Sequence, residues 1–310
     1  MEALGPNATV PEDARGAAIA LGNFDGVHLG HQAVIASARA HANERGIALG
    51  AAVFEPHPRR FFKPDLPPFR LQSRTQRARA LGDVGVQEVL EIGFDAALSQ
   101  SSDREFAERI LRDLLGAAHV SVGADFRFGK GRAGDATSLI RLGDELGFSV
   151  DAVQPVSEGA AKISSTGIRE AVSTGAMDMA EAMLGRPWAI EGEVLRGFQR
   201  GRDFGFPTAN VALGDYVRPR LGIYAARVDL GDGVLLPGVA SVGVNPTVGA
   251  LPEPVLEAHL FDFSGDLYGK QIEVELIRFL RDEAMFVDVE ALKRQMKQDV
   301  IDARSALARA

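Results

Sequence analysis

The sequence predicts two domains of different class: an α/β domain with a parallel sheet up to about residue 185, then a mostly β domain ended by a helix. Three observations carry this. A chain of 310 residues exceeds one ordinary core. Before residue 185, short apolar runs alternate with stretches of helical spacing, the pattern of strands covered on both faces. After "LGRPW" (184–188) helical spacing nearly vanishes, and apolar–polar alternation punctuated by Gly, Pro, Asn and Asp replaces it.

In the first part the strand-like runs are "AAIAL" (17–21), "LGAAVF" (49–54), "EVLEIGF" (88–94), "AHVSVGA" (118–124) and "FSVDAVQPV" (148–156). Helical spacing falls at 31–45, 74–82, 102–115 and 136–146. Gly46 ends the first helix, and "SDRE" at 102–105 has the spacing of a capping box. Function in such sheets sits at the carboxyl ends of strands. In the second part six runs follow: "WAIEGEVLRGF", "TANVAL", "GIYAARVDL", "LLPGVASVGV", "LEAHLFDF" and "QIEVELIRFL". They predict an antiparallel barrel or sandwich. The last segment, 288–307, is helical, with Asp288 as N-cap and Leu292, Met296 and Val300 on one stripe.

Composition narrows the function classes. An apolar content of 46% with 25% charged residues is that of a globular chain, and no apolar run approaches a membrane span. The N-terminal stretch has neither a basic start nor an apolar signal core, so a cytoplasmic protein is expected, and the "NAT" at Asn7 reads as chance. The absence of cysteine excludes disulfides, thiolate metal sites and Cys nucleophiles. A net charge of −8 argues against nucleic-acid and anionic-membrane partners, so any phosphate ligand must be held by a local site.

Such a site is suggested by "ALGNFDGVHLGHQAVI" (20–35). A buried strand ends in glycines, Asp25 and two histidines just as a helix begins. His28 and His31, three apart at a helix start, share one face. The first turn leaves N–H groups outside the ladder, and the dipole favours an anion. Two imidazoles and open backbone donors suit a phosphate chain. The plain alternative is a turn capped by histidines. "ISST" at 163–166 likewise offers hydroxyls and N–H groups to an anion, or is an ordinary N-cap.

"GNFDGVHLGH" resembles the signature of the HxGH nucleotidyltransferases. Together with "FEPHPRRFF" (54–62), "VGADFRFGKGRAGD" (122–135) and "ISSTGIREAV" (163–172), the pattern resembles the prokaryotic bifunctional riboflavin kinase/FAD synthetases. In the second half "GRDFGFPTAN" (201–210), "GIYA" (222–225), "SVGVNPTVG" (241–249) and "LEAHLFDFSGDLYGK" (256–270) are similar to the riboflavin kinase module. The resemblance spans about residues 16–302. It implies a doubly wound nucleotidyltransferase-type domain (1–185) followed by a six-stranded β-barrel kinase domain with a C-terminal helix (186–310). It also implies conversion of riboflavin to FMN with ATP and Mg²⁺, releasing ADP, then of FMN to FAD with a second ATP, releasing pyrophosphate.

By that resemblance His28 and His31 would hold ATP phosphates, with Gly22, Phe24 and Asp25 shaping the nucleotide pocket. Asp125, Arg127 and Arg132 would approach the flavin phosphate and nucleotide, and Ser164, Ser165, Thr166 and Arg169 would form a second phosphate clamp. In the second domain Gly201, Arg202 and Gly205 would form the loop over the nucleotide. Thr208 and Asn210 would contact Mg²⁺, and Glu257 would be the catalytic base, with Asp262 and Asp266 the local alternatives. A lone Glu on a strand otherwise reads as a solvated residue, and "FPTAN" as a strand start. His57, flanked by prolines, reads as structural. One departure stands out: Gly167 occupies a position usually basic in the family, with Lys162 and Arg186 as substitutes. It leaves room for a kinase with a weakened adenylyltransferase half. A third alternative is a flavin-sensing regulator, against which the −8 charge speaks.

Overall fold

The computed structural model describes Val10 and residues 15–158, 161–196, 207–244 and 254–309. The chain forms two compact units. One comprises residues up to Leu66 together with Arg74–Ser164, and the other Pro67–Ser73 together with the chain from Ser165 onward.

The first unit runs β1 (Ala18–Leu21), α1 (Leu29–Arg45), β2 (Leu49–Glu55), α2 (Pro58–Phe62), α3 (Arg74–Asp83), β3 (Glu88–Gly93), α4 (Ala96–Gln100) and α5 (Asp103–Phe106), which continues as a π-helical stretch, Ala107–Leu114. Then come β4 (His119–Gly123), the short hairpin strands β5 (Arg127–Phe128) and β6 (Gly134–Asp135), α6 (Ala136–Leu146), β7 (Ser149–Val153), and β8 (Ser157–Glu158) paired with β9 (Ala161–Lys162). Five strands form one parallel sheet in the order β3-β2-β1-β4-β7. Apolar side chains leave it on both faces, as continuous apolar strands require. Ala18, Ala20, Ala51 and Val53 meet Val34, Ile35 and Ala38 of α1 and Leu81 of α3. Ile19, Leu21, Val120 and Val122 meet Phe106, Leu111, Leu139 and Leu142 on the other side. Strand order reverses between β1 and β4, so the crevice where such sheets bind ligands opens beyond those two carboxyl ends.

The second unit runs α7 (Ser165–Thr174), α8 (Met177–Leu184), β10 (Trp188–Leu195), β11 (Ala209–Ala212), β12 (Gly222–Asp229), β13 (Leu235–Val244), β14 (Pro254–Leu260), β15 (Gln271–Arg281) and α9 (Val289–Leu307). Its six strands close into an antiparallel barrel, β10-β11-β14-β13-β12-β15, which decides between barrel and sandwich. Leu256, Ala258, Val242, Ala240 and Val211 fill its interior. α9 begins at the N-cap Asp288, whose side chain accepts from Ala291 N, and lays Ala303 and Ala306 on Ala225 and Phe261. α7, α8 and Pro67–Ser73 belong to this unit. Trp188 Nε1 donates to Leu71 O (2.8 Å) and Arg169 Nε donates to Phe69 O (2.7 Å), tying the short segment down.

Candidate active sites

At the carboxyl end of β1 the chain makes a turn that few residues adopt. Phe24 (φ 49°) and Val27 (φ 41°) lie in the left-handed region, costly above all for a β-branched residue, and both are buried. Burial of the two side chains holds the strained turn, with Gly22 beneath the Phe24 ring and Asp25 buried within it. α1 starts directly after, with His28 as its N-cap: His28 Nδ1 accepts from His31 N (3.2 Å). Because Nδ1 accepts, the neutral ring carries its proton on Nε2 and offers a donor away from the helix. The His28 and His31 rings stack at 3.6 Å, and Phe24 meets His31 edge-on at 5.2 Å. The two histidines therefore form one rigid platform.

Gly30, between the histidines, is a spacing requirement absent from the sequence reading. A Cβ built there lies 3.1 Å from His28 Cε1 and 3.7 Å from Ile163 O. A side chain there would press on the His28 ring, which would have to give by a few tenths of an ångström, while the Ile163 carbonyl stays at ordinary contact distance. Ile163 is the chain neighbour of Ser164, the last residue of this unit. Ser165 and Thr166 open α7. Arg169, half-buried, is engaged with Phe69: its Nε bonds the carbonyl and its guanidinium lies 5.5 Å from the ring centroid.

Asp125 follows β4 and accepts from Lys162 Nζ (2.6 Å), which holds its carboxyl below the usual range. Lys162, one of the two candidate substitutes for a basic residue at 167, is thus paired with Asp125 just beyond the carboxyl end of β4. Arg127 and Arg132 are exposed. Arg127 Nη1 lies 3.7 Å from Asp135 Oδ2, and Arg132 (φ 61°) sits in the turn that joins β5 to β6. His57 caps α2: its Nδ1 accepts from Arg59 N (3.0 Å).

The barrel places the other candidates on its outer face. Glu257 of β14 stands opposite Asn210 of β11 on one side and Ser241 of β13 on the other. Thr208 lies two residues before Asn210, just ahead of β11, where the period of two returns its side chain to the same face. Two cavities flank this row. One of about 430 Å³ is lined by Asn210, Asp266 and Tyr268 among others, and one of about 320 Å³ by Glu257, Ser241, Leu292, Met296 and Val300. Thr208 lines both. The stripe expected on α9 is the apolar wall of the smaller cavity. His259, two residues past Glu257, bonds Pro207 O through Nδ1 (2.9 Å) and so pins the approach to Thr208. Period two along "LEAHLF" pairs His259 with Glu257, but Ser241 emerges only from the strand register.

Of the two alternative carboxylates, Asp262 accepts from Arg304 of α9 (2.7 Å), and Asp266 accepts from Tyr268 N (3.0 Å) in a local turn. Gly201, Arg202 and Gly205 lie outside the described residues. Thr208 and Asn210 each supply a hard oxygen donor on one face, the donor type that Mg²⁺ takes.

No helix of the described residues is long and apolar enough to cross a membrane. A family model for FAD synthetase matches residues 10–167, and one for riboflavin kinase matches residues 184–307. The bifunctional riboflavin kinase/FMN adenylyltransferase of Pseudomonas fluorescens is 45% identical over 95% of this chain and 94% of its own length. The Escherichia coli K12 protein of the same name is 40% identical, covering 93% and 92%. A crystal structure described as a macrolide-efflux protein from Streptococcus pneumoniae is 30% identical with a TM-score of 0.84, covering 93% of this chain and 94% of that one. On the strength of both family models and near-full-length relatives, the chain belongs to the bifunctional riboflavin kinase/FMN adenylyltransferase family.

Proposed function

We propose that the family's two reactions occupy two sites on this chain, with residues 1–185 serving adenylyl transfer and 186–310 serving the kinase. The chain phosphorylates riboflavin to FMN with ATP, releasing ADP, and joins FMN to AMP from a second ATP, releasing pyrophosphate and FAD. The single observation that carries the site assignment is the Glu257–Asn210 pair with Thr208 shared by both barrel cavities.

In the kinase, riboflavin occupies the smaller cavity, its rings against Leu292, Met296 and Val300 and its 5′-hydroxyl at Glu257. ATP occupies the larger one, so the two meet at Thr208. Glu257 accepts the hydroxyl proton as the bond to the γ-phosphate forms. Thr208 and Asn210 would hold Mg²⁺, which, when bound, neutralises charge on the ATP phosphates.

In the adenylyltransferase no protein nucleophile is needed, because the FMN phosphate attacks the α-phosphorus directly. Positioning and charge stabilisation suffice. The Nε2–H of His28, the His31 ring and the first N–H groups of α1 face the charge that grows on the leaving pyrophosphate. Asp125, Lys162, Arg127 and Arg132 border the acceptor side, and Ser164, Ser165, Thr166 and Arg169 form the second clamp.

The test is a time course with riboflavin, ATP and Mg²⁺ that resolves FMN from FAD. FMN should appear first and FAD follow. FMN that accumulates with no FAD would overturn the assignment of the first site.

A further inference from the structure

Beneath α1, far from the HxGH turn, the first unit holds a layer of polar side chains where an apolar interface is the norm. α1 contributes Ser37, His41 and Arg45, each four residues apart on one face. β4 contributes His119 and Ser121, and β7 contributes Ser149 and Asp151. The parallel register sets His119 beside Ser149 and Ser121 beside Asp151. His119 and Ser121 are fully buried. Neither flavin reaction uses any of these groups. His41 is also 13 residues beyond His28 on the same helix, about 20 Å along its axis at the α-helical rise.

The donors converge. His41 Nε2 is 3.0 Å from Asp151 Oδ2, His119 Nε2 is 4.0 Å from the same oxygen, and a ligand atom of each lies within 4.8 Å of the other two. Around a tetrahedral ion with bonds of about 2.0–2.1 Å, donor atoms sit roughly 3.3 Å apart, so these separations bracket a coordination shell. The outer groups are in place too. Ser149 Oγ accepts from Arg45 Nη2 (3.3 Å) and directs its own proton at Ala118 O (3.5 Å), so the His119 tautomer that suits its contact with Nδ1 (2.9 Å) carries the ring proton on Nδ1. That tautomer leaves a lone pair on His119 Nε2, now met by the Ser121 hydroxyl (2.9 Å). Ser37 Oγ bonds the Asp151 carboxylate (2.8 Å), as outer-shell groups bond a ligating carboxylate. His41 Nδ1 is buried with no hydrogen-bond partner among the described residues. The His41 and His119 rings stack at 3.6 Å, so His41 must turn out of the stack to aim its lone pair at a shared ion. Its partly exposed place on α1 leaves room for that turn.

We propose that His41, His119 and Asp151 bind one borderline transition-metal ion of the Zn²⁺ class, separate from the Mg²⁺ that serves phosphoryl transfer. Two imidazoles and one carboxylate select zinc, cobalt or nickel, whereas Mg²⁺ prefers an all-oxygen octahedron. Water completes the shell, because three protein ligands converge among the described residues.

The test titrates the full-length chain with Co²⁺ and follows its visible absorption, with Zn²⁺ and Mg²⁺ as competitors. One Co²⁺ per chain should bind, displaced by Zn²⁺ and unaffected by millimolar Mg²⁺. His41→Ala and Asp151→Asn, both at partly exposed positions that spare the fully buried His119, should each weaken binding at least about tenfold. His28→Ala should leave the band intact, which separates this site from the other histidine pair. Absence of a stoichiometric band, or equal binding by His41→Ala and Asp151→Asn, overturns the proposal and leaves the layer as a hydrogen-bonded network. A band lost only in His28→Ala overturns it as well, because the ion then sits at the HxGH turn.

Discussion

Glu257 and Asn210 face each other directly across the β14–β11 ladder, on the outside of a barrel whose inside is apolar. A carboxylate on a strand is ordinarily a solvated residue. Here its neighbours on both sides, Asn210 and Ser241, are polar, and a cavity walled by the α9 stripe lies over it. Glu257→Gln keeps shape and polarity but cannot take a proton. FMN formation should fall by about 10²- to 10⁴-fold in rate. Binding of riboflavin and of ATP with Mg²⁺ should survive, since in the proposed site Thr208 and Asn210, and not Glu257, would supply the metal's oxygens. FMN given directly should still become FAD. Phosphorylation at a near-normal rate would remove Glu257 from the mechanism and turn attention to Asp266, because Asp262 is already engaged by Arg304.

The histidine platform predicts a separable defect in the other reaction. His31→Ala removes one stabiliser of the leaving pyrophosphate, and FAD formation should drop by about 10²-fold while FMN formation is unchanged. Gly30→Ala is the finer probe. Its methyl group would stand 3.1 Å from His28 Cε1, so the ring must shift and the His28 Nδ1 to His31 N–H bond loosens. A loss of about tenfold in FAD formation is expected from misplacement alone. A parallel loss of kinase activity would instead mark a general folding defect.

The local elements are legible because their signals are local. Gly46 ends α1 in the left-handed region (φ 65°), Ser102 and Glu105 form the reciprocal capping box, and Asp288 caps α9. The HxGH turn is legible as well, although the strained backbone at Phe24 and Val27 is not, since nothing in those residue types asks for positive φ. Long-range register is what the sequence hides. Glu257 meets Asn210 only because β11 pairs with β14 rather than with its chain neighbour β12. Pro67–Ser73 falls inside the stretch expected to be the α/β domain, yet it belongs to the barrel unit through the Leu71 and Phe69 carbonyls. The polar layer at His41, His119 and Asp151 is invisible for the same reason: each element shows one or two polar residues, and only the register stacks them.

The grouping of α7 and α8 with the barrel bears on how the halves separate. Met177, Ala180, Met183 and Leu184 of α8 are buried, and the helix lies against β10 and β15. A fragment of residues 186–310 exposes those faces, whereas one of residues 165–310 keeps them covered. Both should phosphorylate riboflavin and form no FAD. The shorter one should melt lower by about 5 °C or more, as loss of several buried apolar side chains implies. Equal melting temperatures would show that α7 and α8 contribute nothing to the barrel, and a 165–310 fragment unable to make FMN would count against the proposed division of labour.

Glu275 gives a prediction about pH. It lies on β15 between Ala189 of β10 and Arg227 of β12, half-buried, and its Oε2 has no hydrogen-bond partner among the described residues. Burial raises its pKa above the ordinary 4.5. Arg227 opposes that shift, while Glu273, Glu181 and Asp229 add to it. With the folded pKa above the unfolded one, the protonated carboxyl favours the folded state. That contribution is complete below pH 4.5 and fades as pH rises through the raised value, because the ionised carboxylate is the form that burial disfavours. Glu275→Gln removes the titration and keeps the hydrogen-bonding shape. Its melting temperature should exceed that of the wild type at pH 8, and the gap should narrow as the pH is lowered toward 5. Thermal melts across that range decide it. A constant gap, or a variant less stable than the wild type at pH 8, would mean that pairing with Arg227 outweighs the cost of burying the charge.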